Sequence, residues 1–268
     1  MIVQGTPQTI PALNRIWATC FGDSPEYIRF FMEHRFPSCQ CFVWLEGETP
    51  VGAAYLLPCT LGTHKAYYGY AIGVHPSVQR RGICAELLNY AEHFCEQQQA
   101  IFFLMPRPGI ENYYLNRGFR SAFYSCTQRI LPHQTMTGEL EIKDACAEEY
   151  TALRNCFFQG PGYVSWDTDA VAYALEEQRL CGGFAHVLRW QAARYLLFGK
   201  IEGQVLQLRE STLPLGLAKE LSPLLCSHYN TSELILEYPA SSVEDGVPRG
   251  CCYNFTLCHS GWLALDLT

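Results

Sequence analysis

The stretch VHPSVQRRGICAELL, residues 74–88, decides how this chain is read. Its first part ends an apolar run and its last part begins one, with Gln79, Arg80, Arg81 and Gly82 between them. From Cys84 onward Leu87, Leu88, Ala91, Phe94 and Cys95 recur at spacings of three and four, while Glu86, Asn89, Glu92 and Glu96 take the opposite side. That pattern predicts an amphipathic helix. A turn between a strand and a helix start exposes backbone N–H groups at the positive end of the helix dipole, which favours an anion. Gly82 lets such a ligand come close to the backbone.

The kind of anion is narrowed by what the sequence lacks. No GxxxxGK[ST] occurs and no GxGxxG follows a strand-like run, which argues against nucleoside triphosphates and dinucleotides. The formal charge is -7 in 268 residues, so no concentrated basic face is expected and nucleic acid is not a predicted partner. Nothing approaches the roughly 20 apolar residues of a spanning helix, and MIVQGTPQTI lacks the basic start and apolar run of a signal peptide. A cytoplasmic protein without a membrane partner is expected. The 14 cysteines lie scattered in apolar runs such as CQCFVWL, which reads as buried free thiols rather than a disulfide framework. Cys251, Cys252, Cys258 and His259 include no CxxC pair, so they read as core packing and no metal is expected.

Working outward, TIPALNRIWATCF and SPEYIRFFMEHRF predict two helices, the second with a Ser cap and Pro in its first turn. CFVWLEGETPVGAAYLLPCTLGTHKAYYGYAIGV predicts three antiparallel strands, with turns at Gly47-Glu48 and Gly62-Thr63. After the amphipathic helix, AIFFLM predicts a buried strand, IENYYLNRGF a short helix, and FRSAFYSCTQRIL a strand closing this half. PHQTMTG is polar and punctuated by Pro and Gly, as a linker would be. The second half repeats the order: strand GELEIKDA, helices EEYTALRNCFF and TDAVAYALEEQRL, strands FAHVLRW, ARYLLFGKI and QVLQLRE, and helix LGLAKELSPLLCSHY. Strands SELILEY, YNFTLC and GWLALDL are expected to finish it.

This element order, with QRRGIC at residues 79–84 and YYLNRGF at 113–119, resembles the Gcn5-related N-acetyltransferase family. Gln79, Gly82 and Cys84 stand at the marked places of that family's Gln/Arg-x-x-Gly-x-Gly/Ala turn, with Cys84 where the pattern has glycine or alanine. Tyr114 stands at the tyrosine of its FYxxxGF signature. The lead-in IWATCFGDSPEYIRFF and the stretch MPRPGIENYYLNRGF further resemble a tandem subfamily related to the enhanced intracellular survival acetyltransferases. The resemblance implies an α/β chain of two tandem acyl-CoA N-acyltransferase domains, each a mixed, mostly antiparallel sheet flanked by helices. Residues 1–132 are expected to be the acetyltransferase domain with the acetyl-CoA site. Residues 138–268 are expected to be a degenerate domain, because LRESTLPLGLAKELSPLL has no Gln/Arg-x-x-Gly.

The same resemblance implies a cosubstrate site of Ile72, Gly73, Val74, Gln79, Arg80, Arg81, Gly82, Ile83, Cys84 and Ala85, the turn's amides holding the pyrophosphate of coenzyme A. The Val74 N–H is implied as the stabiliser of the thioester oxyanion. A phenol with a pKa near about 10 stays protonated at neutral pH and can donate to the departing thiolate, which makes Tyr114 the candidate general acid. Glu33, His34, His64 and Glu111 remain open as the base, and the carboxylate at Thr268 is a further candidate by resemblance. Some of Tyr67, Tyr68 and Tyr70 are expected to line the acceptor cleft. The expected acceptor is a primary amine of a small molecule or peptide. A non-catalytic acyl-CoA-sensing or partner-binding module is the alternative, and self-association into a homo-oligomer is left open.

Overall fold

The computed structural model describes residues 1–132, 138–257, 261–263 and 265. The expected linker at PHQTMTG falls largely outside them, as do Ala264, Asp266 and Leu267 of the closing run GWLALDL and Cys258, His259 and Thr268. The chain forms two compact units, Met1–Ala122 with Arg249–Thr256, and Phe123–Pro248 with Leu257–Thr268.

In the first unit β1 (Ile2–Gln4), β2 (Gln40–Glu46), β3 (Thr49–Leu61) and β4 (His64–Val74) pair antiparallel in sequence order. Helices α1 (Ile10–Phe21) and α2 (Pro25–His34) precede β2. The Ser24 hydroxyl caps α2 by accepting the Tyr27 N–H at 3.2 Å, with Pro25 in the first turn. Helix α3 (Ile83–Gln97) then crosses to β5 (Ile101–Leu104), which runs parallel to β4, and α4 (Glu111–Leu115) follows. Leu87, Leu88, Ala91 and Cys95 of α3 are buried against Phe42, Leu56, Tyr67, Phe102 and Leu104. Each of the two α3 leucines removed from water contributes roughly 1.5–3 kcal/mol. On the other face Trp17 packs on Phe31, Tyr55 and Tyr70 at ring separations of 4.7, 5.3 and 5.7 Å.

The second unit repeats this plan with β7 (Glu141–Asp144), α5 (Ala147–Phe157), β8 (Val164–Ser165), α6 (Thr168–Leu180), β9 (Phe184–Trp190), β10 (Ala193–Glu202) and β11 (Val205–Ser211). Helix α7 (Leu215–His228) crosses to β12 (Glu233–Pro239), parallel to β11. Pro223 inside α7 has no N–H for the Lys219 carbonyl, and the Ser222 hydroxyl donates to that carbonyl instead at 2.9 Å.

The strands that finish each sheet differ from expectation. FRSAFYSCTQRIL does form a strand, β6 (Phe119–Ile130), but it pairs with β12 from Ser125↔Pro239 to Ile130↔Leu234, inside the second unit. The late strand is β13 (Val247–Tyr253) rather than YNFTLC, and its Cys251, Cys252 and Tyr253 pair with Leu104, Phe103 and Phe102 of β5 in the first unit. The compact units divide after Ala122, and Arg249–Thr256 belongs to the first. Apolar alternation marks a strand but carries no information on which distant edge will satisfy its backbone groups.

Candidate active site

Strand β4 is paired on both edges only over part of its length. Its parallel pairing with β5 covers Ala66–Gly69. Beyond that the register on β3 slips, three steps on β4 from Tyr70 to Gly73 matching two on β3 from Tyr55 to Ala53. Ala71 at φ 45° marks this bulge. The extra residue switches which side chains face which layer. Tyr68 and Tyr70 face the α1–α2 side, Tyr70 through a 2.7 Å hydroxyl contact with Tyr27, whereas Tyr67 packs toward α3 at 5.4 Å from Phe94. After the bulge Val74 joins the α3 side, and Gly73 meets α1. Any side chain on Gly73 would be obstructed, since a Cβ there would lie 2.9 Å from Phe21 Cε2 and 3.2 Å from the Cys20 sulfur.

The His75 N–H donates to the Val51 carbonyl at 2.8 Å. Alternation along the strand therefore turns the N–H groups of Ile72 and Val74 to the opposite edge, past the end of the β5 pairing. The Gln79 side-chain amide donates to the Val74 carbonyl at 3.0 Å and ties the turn back to the strand.

The turn itself is exposed from Gln79 to Gly82. Arg80 sits at φ 61° and Gly82, the cap of α3, at φ 82°, a left-handed conformation that glycine adopts without strain. The first helical bond runs from Glu86 N–H to the Gly82 carbonyl at 3.1 Å, so the amides of Ile83, Cys84 and Ala85 have no acceptor within the helix. Arg81 pairs with Glu46, and Arg80 makes no ion pair among the described residues.

Tyr114 is 7% exposed, with its ring 5.6 Å from Phe119 and 5.3 Å from Tyr113. Burial, and then the neighbouring Cys84 and Cys251 thiols, push its phenol well above the usual tyrosine range. The fold thus brings the tyrosine of YYLNRGF to the cysteine of QRRGIC. Tyr113, which sequence reading did not single out, lies beside Cys84, and burial pushes its own phenol up to about 12. Arg117, lying within YYLNRGF, was also missed. It straps α3 by donating to Asn89 Oδ1 at 2.6 Å and to the Ala85 carbonyl at 3.4 Å.

The candidate bases separate. His64 opens β4 while Val74 ends it, a span of about 30 Å at the rise of an extended strand, so His64 cannot serve a group at Val74. Glu111 accepts the Gly109 N–H on both oxygens at 3.0 and 2.9 Å and acts as a turn staple. Glu33 and His34 are exposed near the end of α2. Cys251 and Cys252 are buried at 2% and 0% exposure, and no group of three metal-ligating side chains occurs among the described residues.

In the second unit β11 likewise outruns its pairing with β12, which covers Val205–Leu208. The residues beyond that point are committed. Glu210 receives Arg154 Nε at 3.0 Å, the Tyr150 hydroxyl at 2.7 Å and Trp262 Nε1 at 2.9 Å. Ser211 and Thr212 hydrogen-bond back to Leu196 of β10.

Residues 9–119 match the acetyltransferase (GNAT) family. Solved structures share the fold over most of the chain. A probable N-acyltransferase of unknown function from Enterococcus faecalis V583 is 12% identical with a TM-score of 0.72, over 94% of this chain and 72% of that one. Eis1 from Mycobacterium abscessus is 15% identical with a TM-score of 0.62, over 88% and 65%. A tandem GNAT protein from the clavulanic acid biosynthesis pathway is 13% identical with a TM-score of 0.52, over 94% and 96%. At these identities the likeness is one of fold. No curated protein sequence matches the chain. No helix among the described residues is long and apolar enough to cross a membrane.

Proposed function

We propose that the first unit is an N-acetyltransferase that takes acetyl-CoA as cosubstrate and passes the acetyl group to a primary amine of a small molecule or peptide by direct attack. The observation that carries this reading is the continuity of open donors: Ile72 and Val74 N–H on the free edge of β4, then the exposed turn, then the uncapped amides of Ile83, Cys84 and Ala85. Such a row suits a pantetheine arm followed by a pyrophosphate, the latter at a helix N-terminus.

In this reading the Val74 N–H, with that of Ile72 beside it, stabilises the oxyanion as the amine attacks the thioester carbon. The donor is fixed in a strand, so no reorganisation is needed when charge develops. The C–S bond then breaks, and Tyr114 donates its proton to the departing thiolate. Its raised pKa keeps that proton available across neutral pH. Glu33 and His34 are left as side chains that could take the amine's proton. The second unit is read as a degenerate domain, its strand end occupied by the Glu210 network. The thirteen described cysteines are all free, in keeping with a cytoplasmic location.

Release of free thiol from acetyl-CoA with a panel of amines tests the reading. Turnover with at least one amine is expected. Saturable thermal stabilisation by CoA with no turnover on any amine would turn the reading toward an acyl-CoA sensor.

A further inference from the structure

Arg107 lies in the loop after β5, between Pro106 and Pro108. The two prolines restrict the backbone, and the turn is stapled by the Ile110 N–H to the Arg107 carbonyl at 3.2 Å and by Glu111 on the Gly109 N–H. The guanidinium lies 4.6 Å from the centre of the Phe21 ring and reaches the Cys20 and Phe21 carbonyls only at 3.4 and 3.5 Å. No carboxylate of the described residues pairs with it, and the residue is exposed. The Phe21 ring also abuts Gly73 through its Cε2 edge atom. An exposed cation with no carboxylate partner among the described residues therefore stands one phenyl ring away from the β4 backbone, beside the residue that separates the open amides of Ile72 and Val74.

We propose that Arg107 is the specificity residue for the acceptor, recognising the carboxylate of an amine that carries one, so that the substrate class is a small amino acid rather than a polyamine. This rests on the N-acetyltransferase reading. The geometry favours the acceptor over the cosubstrate because Arg107 reaches β4 through α1, whereas the open turn and the amides of α3 lie beyond the C-terminal end of that strand. A planar guanidinium suits a carboxylate through two parallel N–H donors, and the long contacts to the Cys20 and Phe21 carbonyls leave the other three of its five N–H groups to offer them.

The test compares a short amino acid, its carboxamide and the diamine of equal length as acceptors for the full chain at saturating acetyl-CoA. The expected result is a kcat/KM preference for the amino acid over the carboxamide of roughly tenfold or more, carried by KM, as a charged hydrogen-bond pair supports. Arg107→Gln should bring that ratio toward one, Arg107→Lys should restore part of it, and Arg107→Glu should shift the preference to the diamine. Equal use of acid and carboxamide by the unaltered chain overturns the proposal. So does an equal loss for all three amines in Arg107→Gln, which marks a structural role, or a rise confined to the KM of acetyl-CoA. If no amine turns over, the N-acetyltransferase reading fails separately, and thermal shift with CoA present decides the Arg107 proposal. An Arg107-dependent shift with the amino acid but not the carboxamide supports it, and no such shift overturns it.

Discussion

Arg154 and Glu210 meet at 3.0 Å inside the second unit with side chains 1% and 0% exposed. The remaining guanidinium donors go to the Val164 carbonyl at 2.6 Å and the Leu263 carbonyl at 3.1 Å. The carboxylate also takes Tyr150 and Trp262, so the charges are buried together with their hydrogen bonds made.

Removing one partner leaves the other charged and unpaired in the core. Arg154→Ala is therefore expected to destabilise the second unit by roughly 3–5 kcal/mol, with a matching fall in the denaturation midpoint. Urea unfolding followed by Trp fluorescence checks this, since Trp262 belongs to the network. A midpoint equal to that of the unaltered chain would mean that the network adds nothing to stability.

Local chemistry made the first unit readable. QRRGIC marked the α3 start, Ser24 and Pro25 marked that of α2, and Gly47 and Gly62 marked the two hairpin turns. Each is a short-range device with a residue-level signature. The exchange of β6 and β13 was not legible, because a strand's sequence sets its faces and leaves its partners to the rest of the fold. The same limit hid Glu210, which lies 56 residues from Arg154 and 52 from Trp262. Within the site, YYLNRGF and QRRGIC were legible as motifs. Their meeting at Tyr114 and Cys84, and the Ala71 bulge that turns Val74 toward α3, required the tertiary structure.

Tyr114→Phe keeps the ring packed on Phe119 and removes only the proposed proton donor. A fall in kcat of roughly 10²–10⁴-fold is expected with little change in thermal stability. Because burial beside Cys84 and Cys251 raises the phenol's pKa, kcat should not decline through pH 10 from loss of this proton. Turnover equal to that of the unaltered chain would remove Tyr114 from the mechanism.

His186 gives the second unit a pH dependence. Its Nδ1 pairs with the Tyr229 hydroxyl at 2.8 Å, and its ring stacks on Phe184 at 4.7 Å. Burial lowers its pKa from 6.5, with Asp144 opposing and His228 and Arg179 assisting. The folded state thus favours the neutral ring. Its contribution is complete above the unfolded value of 6.5 and is lost as pH falls from there through the lowered folded value. Melting temperature against pH should drop more steeply below 6.5 for the unaltered chain than for His186→Phe. Parallel curves would refute this assignment.

Gly82 sets the backbone of the turn proposed to hold the cosubstrate. At φ 82° a Cβ meets no neighbour within 4 Å, so the cost of a side chain there is conformational rather than steric crowding. Gly82→Ala should cost about 1–2 kcal/mol if the left-handed cap is kept. If the chain relaxes instead, the amides of Ile83, Cys84 and Ala85 turn away from the position proposed for the pyrophosphate. Either route predicts a smaller thermal shift with CoA and a higher KM for acetyl-CoA. Gly82→Asn should retain more of both, because asparagine enters the left-handed region more readily than alanine. An alanine variant that binds CoA as tightly as the unaltered chain would show that the pyrophosphate is not held by the start of α3.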